Sequence, residues 1–137
     1  VRRTRGELRV DRVPDPVAAA ADRLTGLLAR EGSVGVVVPD SLVGAVPRAL
    51  GGIEHRLLGG ASDDAEEEWD TRVEVVPAGL AKGLEFDHVL LLEPAAVVAG
   101  EHDRLTGLRR LYVCLTRAVT SLQVLHVEEL PAELGKP

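Results

Sequence analysis

The sequence predicts an open α/β domain, a mostly parallel sheet of five or six strands covered by helices on both faces. Short Val- and Leu-rich runs at residues 34–38, 73–76 and 89–92 do not alternate with polar residues, which is how strands buried on both faces read. Helical patterns fall between the strands, the order expected of a parallel sheet in a layered domain. The hydrophobic fraction of 45% contains only one Phe, one Tyr and one Trp, so the core has to be Val, Leu and Ala packed between layers.

Residues 1–13 are basic, with Arg2, Arg3, Arg5, Arg9 and Arg12, and are expected to be a solvated lead-in where only residues 7–10 could form a strand. Pro14, Asp15 and Pro16 then punctuate the chain, and a proline near a first helical turn is favourable. Val17, Ala20, Ala21, Leu24, Leu27 and Leu28 have the spacing of one helix face, so a helix is expected over 17–30. Gly32 and Ser33 end it, a central strand follows at 34–38, and Pro39 with Asp40 closes that strand. Asp40 or Ser41 can cap a second helix over 42–50, which Pro47 should kink or shorten. Gly51 and Gly52 turn the chain into a candidate strand at 53–58. Residues 59–70 read as an acidic loop. Its Asp63, Asp64, Glu66, Glu67 and Glu68 have neither His, Cys nor a calcium-loop spacing among them, so a solvated loop is expected rather than a metal site, with Trp69 anchoring its end.

Beyond residue 94, residues 95–103 are expected to form a loop and 104–119 a helix, with Leu105, Leu108, Leu111, Tyr112, Leu115 and Val119 as its buried stripe. Arg110 and Arg117, seven residues apart, should project from one side of that helix. Residues 122–127 make a last buried strand and 131–137 a flexible tail. At 137 residues a single domain is expected from the prior of roughly 150 residues each, and the opening VRRTRG with no Met suggests a fragment of a larger protein. Cys114 stands alone, which excludes an internal disulfide and points to a reducing, cytoplasmic address. No apolar run approaches the roughly 18 residues that span a bilayer, so no membrane partner is expected. A net charge of −6 argues against a general nucleic-acid coat while leaving room for a local basic strip. The four histidines are scattered without metal-ligand spacing, which gives them structural or solvent roles.

The candidate site is the polar turn between the runs at 73–76 and 89–92, built on Lys82, Gly83 and Glu85, because polar turns at strand ends are where open α/β sheets bind ligands. Neither G-x-x-x-x-G-K-[ST] nor G-x-G-x-x-G occurs, so the chain offers no backbone cradle for a triphosphate. A nucleotide would have to be met from outside, by side chains.

AKGLEFDHV at residues 81–89 and LYVCLTRA at 111–118 resemble motifs five and six of superfamily-one DNA helicases of the UvrD/Rep type, in that family's order. The resemblance is best over 73–127. It implies the second, C-terminal RecA-like motor domain, a three-layer P-loop NTPase fold without its own P-loop. By the same resemblance Arg117 is an arginine finger that reaches across a cleft to the γ-phosphate of ATP bound on the P-loop domain of the same protein. The chemistry suits the residue, since a guanidinium is always charged and forks onto phosphate oxygens. Gly83 and Glu85 match motif-five residues that approach the nucleotide, Glu85 near the ribose, and Lys82 matches a cleft lysine that would sense phosphate or pair with an acid of the other domain. Arg110 and Thr116 are further candidates for facing the cleft or nucleic acid, whereas Tyr112 and Leu115 are expected to pack. ATP and Mg²⁺ would be held mainly by the missing domain, with neither expected on this chain, which alone should be inactive. DNA is the implied polymer partner.

The departures from the family pattern are informative. Pro77, Ala78, Gly79 and Leu80 stand where family members commonly carry Thr-Leu-His-Ser, so the polar groups expected near bound DNA are gone. That pattern, with the basic opening, is closer to the HelD-like branch, UvrD-type motors that associate with bacterial RNA polymerase, and it makes RNA polymerase the alternative partner. A third reading treats the chain as a doubly wound domain that binds an unrelated ligand.

Overall fold

The computed structural model describes residues 6–59 and 71–134. The acidic run, Trp69, the first five residues and the last three lie outside the described residues, and with them the acidic-loop and metal expectations; of the tail expected at 131–137, residues 131–134 form a turn in which the Leu134 amide donates to the Pro131 carbonyl at 2.8 Å and Glu133 pairs with Arg104 at 2.6 Å. Six strands, β1 (Glu7–Arg12), β2 (Val34–Val38), β3 (Arg56–Leu57), β4 (Val73–Pro77), β5 (Phe86–Leu92) and β6 (Ala118–His126), form one sheet in the order β1-β6-β5-β2-β4-β3. Every pairing is parallel.

The sheet separates two apolar layers, as the unalternating strand composition requires. Val34, Val36 and Val38 of β2, with Leu90 and Leu92 of β5, face the first helix α1 (Pro16–Leu28) and the short helix α2 (Val46–Ala49). Val37, Val76, Val89 and Leu91 face the other way, toward α3 (Pro94–Ala99) and α4 (Arg104–Leu115). Helix α1 begins where the sequence signals it, with Pro16 in its first turn and the Asp15 side chain accepting a hydrogen bond from the Ala18 amide at 3.1 Å. The single Phe has a fixed seat: Phe86 lies over Gly35, where a Cβ would stand 2.5 Å from the ring.

Several elements depart from expectation, each for a physical reason. Residues 7–12 are not a solvated lead-in; they pair with β6 in the register Leu8↔Leu122 as an edge strand, mostly exposed and therefore without an apolar signature. The helix expected at 42–50 is a 3₁₀ segment (Asp40–Ala45) that hands over to α2, with Pro47 in the first turn of α2, where its missing N–H costs nothing. The strand expected at 53–58 shrinks to β3. The loop expected at 95–103 contains α3, opened by Pro94.

Helix α4 stops at Leu115, and Val119 belongs to β6, so the helix expected over 104–119 was too long. Its buried line is Gly107, Leu111 and Cys114, while Leu105, Tyr112 and Val119 are 58%, 67% and 57% exposed, against the expected stripe. Gly107 sets this phase. A Cβ there would come 2.3 Å from the Val98 carbonyl oxygen, so α4 approaches α3 through its smallest residue, with Leu108, Leu111 and Leu115 packed inward as expected and Leu105 and Tyr112 turned outward. No helix among the described residues is long and apolar enough to cross a membrane.

Candidate functional site

Strands β4 and β5 are parallel but separated by β2, so residues 78–85 must carry the chain from the carboxyl end of one to the amino end of the other. A parallel crossover usually takes a dozen residues or more. So short a connection crosses the α4 face of the sheet nearly directly, with room for one 3₁₀ turn, Ala78–Leu80. Ala78, Ala81 and Leu84 press into the layer beneath α4, which leaves Lys82, Gly83 and Glu85 exposed. Gly83 has φ +85, and a Cβ there would meet nothing within 4 Å, so glycine serves the left-handed backbone and not a lack of space. Among the described residues none hydrogen-bonds the Lys82 ammonium or the Glu85 carboxylate.

Arg117 comes from the turn that ends α4. Its Nε donates to the Val113 carbonyl at 2.9 Å, Nη1 to the Leu84 carbonyl at 3.0 Å and Nη2 to the Thr116 hydroxyl oxygen at 3.2 Å. Since a guanidinium has five N–H donors, one remains on each terminal nitrogen. Thr116 is exposed, yet its hydroxyl turns inward and shares its hydrogen between the Tyr112 and Val113 carbonyls at 3.1 and 3.0 Å, capping the helix. Among the described residues no carboxylate lies within 4 Å of the Arg117 guanidinium, so none of them pairs with its charge.

Strand register brings these residues together. Phe86 pairs with Ala118, and the Phe86 amide donates to the Arg117 carbonyl at 3.0 Å, so Glu85 and Arg117 are neighbours at the amino ends of β5 and β6. This location corrects the expectation drawn from open α/β sheets, whose ligand crevices lie outside the carboxyl ends. The charged half of the turn sits at the opposite end of the sheet.

Arg110 also reaches from α4 to the crossing segment, but at its other end. Its Nη1 donates to the Gly79 carbonyl at 3.0 Å and its Nε to Glu101 at 3.1 Å, and the Asp40 carboxylate lies beside the same glycine. Arg117 lies beyond the end of α4, so helical spacing does not relate the two arginines as expected, yet both grip the same segment, one near each end. Cys114 sits between them, its thiol 4.0 Å from the Ala78 carbonyl. Burial pushes that thiol up to about 11, with Arg110 and Arg117 pulling weakly the other way.

The Leu84 and Val113 carbonyls that hold Arg117 are backbone groups with no sequence signal, and the pairing of Arg110 with Glu101 depends on α3, which the sequence did not reveal. The histidines are tied locally, His88 most deeply, with Nδ1 2.7 Å from the Ser121 hydroxyl and Nε2 3.0 Å from the Glu31 carbonyl. Among the described residues no three His, Cys, Asp or Glu side chains gather where a metal ion could be held.

No family model matches the chain, and no curated protein does. Among solved structures, this fold is that of the C-terminal domain of a possible DNA helicase from Lactobacillus plantarum WCFS1. The match has a TM-score of 0.70 over 95% of this chain and 78% of that one, at 23% sequence identity. At that identity the likeness is one of fold. The three-layer RecA-like architecture expected from the sequence is the one observed.

Proposed function

We propose that this chain is the second motor domain of an ATP-dependent helicase or translocase, and that it completes the site of an ATP molecule bound on a separate P-loop domain. The observation that carries the reading is the Arg117 guanidinium, half-buried and oriented by three acceptors but facing no carboxylate among the described residues. A charge held in place without a counter-ion, with a free donor on each terminal nitrogen, is suited to an anion delivered from outside. ATP supplies the transferable γ-phosphoryl group. Arg117 would lie against its non-bridging oxygens and stabilise the charge that grows there during hydrolysis. Glu85, exposed at the neighbouring strand end and without a partner among the described residues, would accept from the ribose hydroxyls, and the exposed Lys82 would add a second positive charge to the phosphate side. Gly83 would keep the turn low enough for the nucleotide to approach. In this reading Mg²⁺ belongs to the P-loop domain.

Arginine fingers contribute about 10³ to 10⁵ in rate. In the full-length protein, Arg117→Ala should therefore leave binding of a fluorescent ATP analogue nearly unchanged while turnover falls about a thousandfold or more. Undiminished turnover would remove Arg117 from the mechanism.

A second reading, a HelD-like motor directed at RNA polymerase, is favoured by the other end of the crossing. Pro77, Ala78, Gly79 and Leu80 offer no polar side chain to a nucleic-acid strand except through the backbone, and Arg110 is neutralised by Glu101. Duplex unwinding assayed beside co-purification with RNA polymerase separates the two. ATPase activity with polymerase bound and no unwinding favours the second reading, and processive unwinding the first.

A further inference from the structure

We propose that Thr116 is a positioning residue for Arg117 and makes no contact with nucleic acid, an inference that rests on the reading of Arg117 as the residue facing the nucleotide. An arginine side chain has four rotatable torsions, and leaving it free would spread the guanidinium over many directions. Here three acceptors limit it. Two are carbonyls, Val113 at 2.9 Å and Leu84 at 3.0 Å, and only the third, the Thr116 hydroxyl at 3.2 Å, belongs to a side chain that mutation can remove without altering the backbone.

The geometry of that hydroxyl explains why it is a competent acceptor. Its single hydrogen is committed to the Tyr112 and Val113 carbonyls at the end of α4, which fixes the rotamer and turns the oxygen lone pairs toward Arg117. Thr116 thus joins the helix end to the guanidinium in one chain of hydrogen bonds. Although the residue is exposed, its polar atom is spent within the fold, so a strand passing over it would meet chiefly its methyl group.

The Leu84 carbonyl gives the arrangement its direction. Because the guanidinium is a rigid plane, the contacts of Nη1 with Leu84 and of Nε with Val113 still allow it to tilt about the line that joins them, and the Nη2 contact removes that freedom from a nitrogen that carries one of the two free donors. A displacement of about 1 Å at such a group can cost on the order of 100-fold in rate.

The test is a set of variants of the full-length protein, assayed for ATP hydrolysis with and without DNA. Thr116→Val, which keeps the shape and removes the acceptor, should lower kcat about tenfold or more with KM for ATP changed less than about twofold. Thr116→Ala should do the same, and Thr116→Ser, which restores the hydroxyl, should return kcat to within about twofold of the parent. In an Arg117→Ala background, Thr116→Val should bring no further loss, because nothing remains to be positioned. An unchanged kcat in Thr116→Val, a loss that persists undiminished without Arg117, or a fall in DNA affinity at constant kcat would each overturn the positioning role. If Arg117→Ala alone leaves turnover intact, the finger reading fails first and takes this inference with it; if Arg117→Ala abolishes turnover and Thr116→Val does not lower it, only this inference fails.

Discussion

Two arginines seven residues apart, one on α4 and one in the turn that ends it, finish in different electrostatic surroundings. Arg110 meets Glu101 and the Gly79 carbonyl near the start of the crossing segment, with Asp40 close by, whereas among the described residues Arg117 meets only neutral oxygens, the Leu84 carbonyl near the segment's end among them. The same side chain is thus structural in one place and available in the other, and the deciding factor is whether a carboxylate is within reach. A neutralised, half-buried guanidinium holds two pieces of chain together. In the proposed reading, one without a carboxylate in reach is kept for an anion from outside.

The largest stability effect should come from the contact that lets both grips form. Gly107→Ala would place a methyl group 2.3 Å from the Val98 carbonyl oxygen, a backbone atom that cannot swing aside, so α4 must move off α3. A loss of about 1–3 kcal/mol is expected in urea unfolding, accompanied by lower turnover because both arginines shift together. A variant as stable as the parent would mean that α4 does not sit so close.

Removing one grip should cost less. Arg110→Ala leaves Glu101 without its ion pair and the Gly79 carbonyl without its donor, and about 1–3 kcal/mol of destabilisation is expected. Because each partner keeps partial access to solvent, the lower half of that range is the better expectation. Below it comes Gly83→Ala, where the left-handed φ of +85 is the only penalty, about 1 kcal/mol, since the new methyl group meets nothing. If that variant were more stable than the parent, the turn would be adopting another backbone conformation.

How much of this was legible depends on burial. Val34, Val36 and Val37 of β2, or Leu90 and Leu91 of β5, are apolar in every direction because both faces of their strands are covered, and composition alone exposes that. β1 escaped because an edge strand with Glu7, Arg9 and Asp11 on it has no need of apolar residues to pair its backbone. The phase of α4 escaped for the opposite reason: its tightest contact is made by Gly107 and Cys114, and a reading that weighs leucines and aromatics passes over the small residues that allow close approach. At the site, the polar turn between two apolar runs singled out Lys82, Gly83 and Glu85, and the resemblance to the helicase motif singled out Arg117, but neither held information on which end of the sheet they occupy. That follows from the β4-to-β5 crossing and the Phe86↔Ala118 register.

An effect seen only at alkaline pH concerns the thiol between the two arginines. Burial raises the Cys114 pKa from 9.0 to about 11, so the folded protein holds this proton where the unfolded chain has already lost it. Its contribution to stability is therefore full below pH 9 and is lost as pH rises toward 11. A thiol reagent at pH 8 should label the folded chain only at the rate of unfolding. Rapid labelling under native conditions would place the thiol outside the layer between Arg110 and Arg117.

The contrast between the two arginines is tested most directly by single-turnover ATP hydrolysis in the full-length protein, with Arg117→Ala and Arg110→Ala measured side by side under saturating nucleotide. The account expects the first to slow hydrolysis about a thousandfold or more and the second by less than about tenfold. Equal losses in the two variants, or a parental rate in Arg117→Ala, would contradict it.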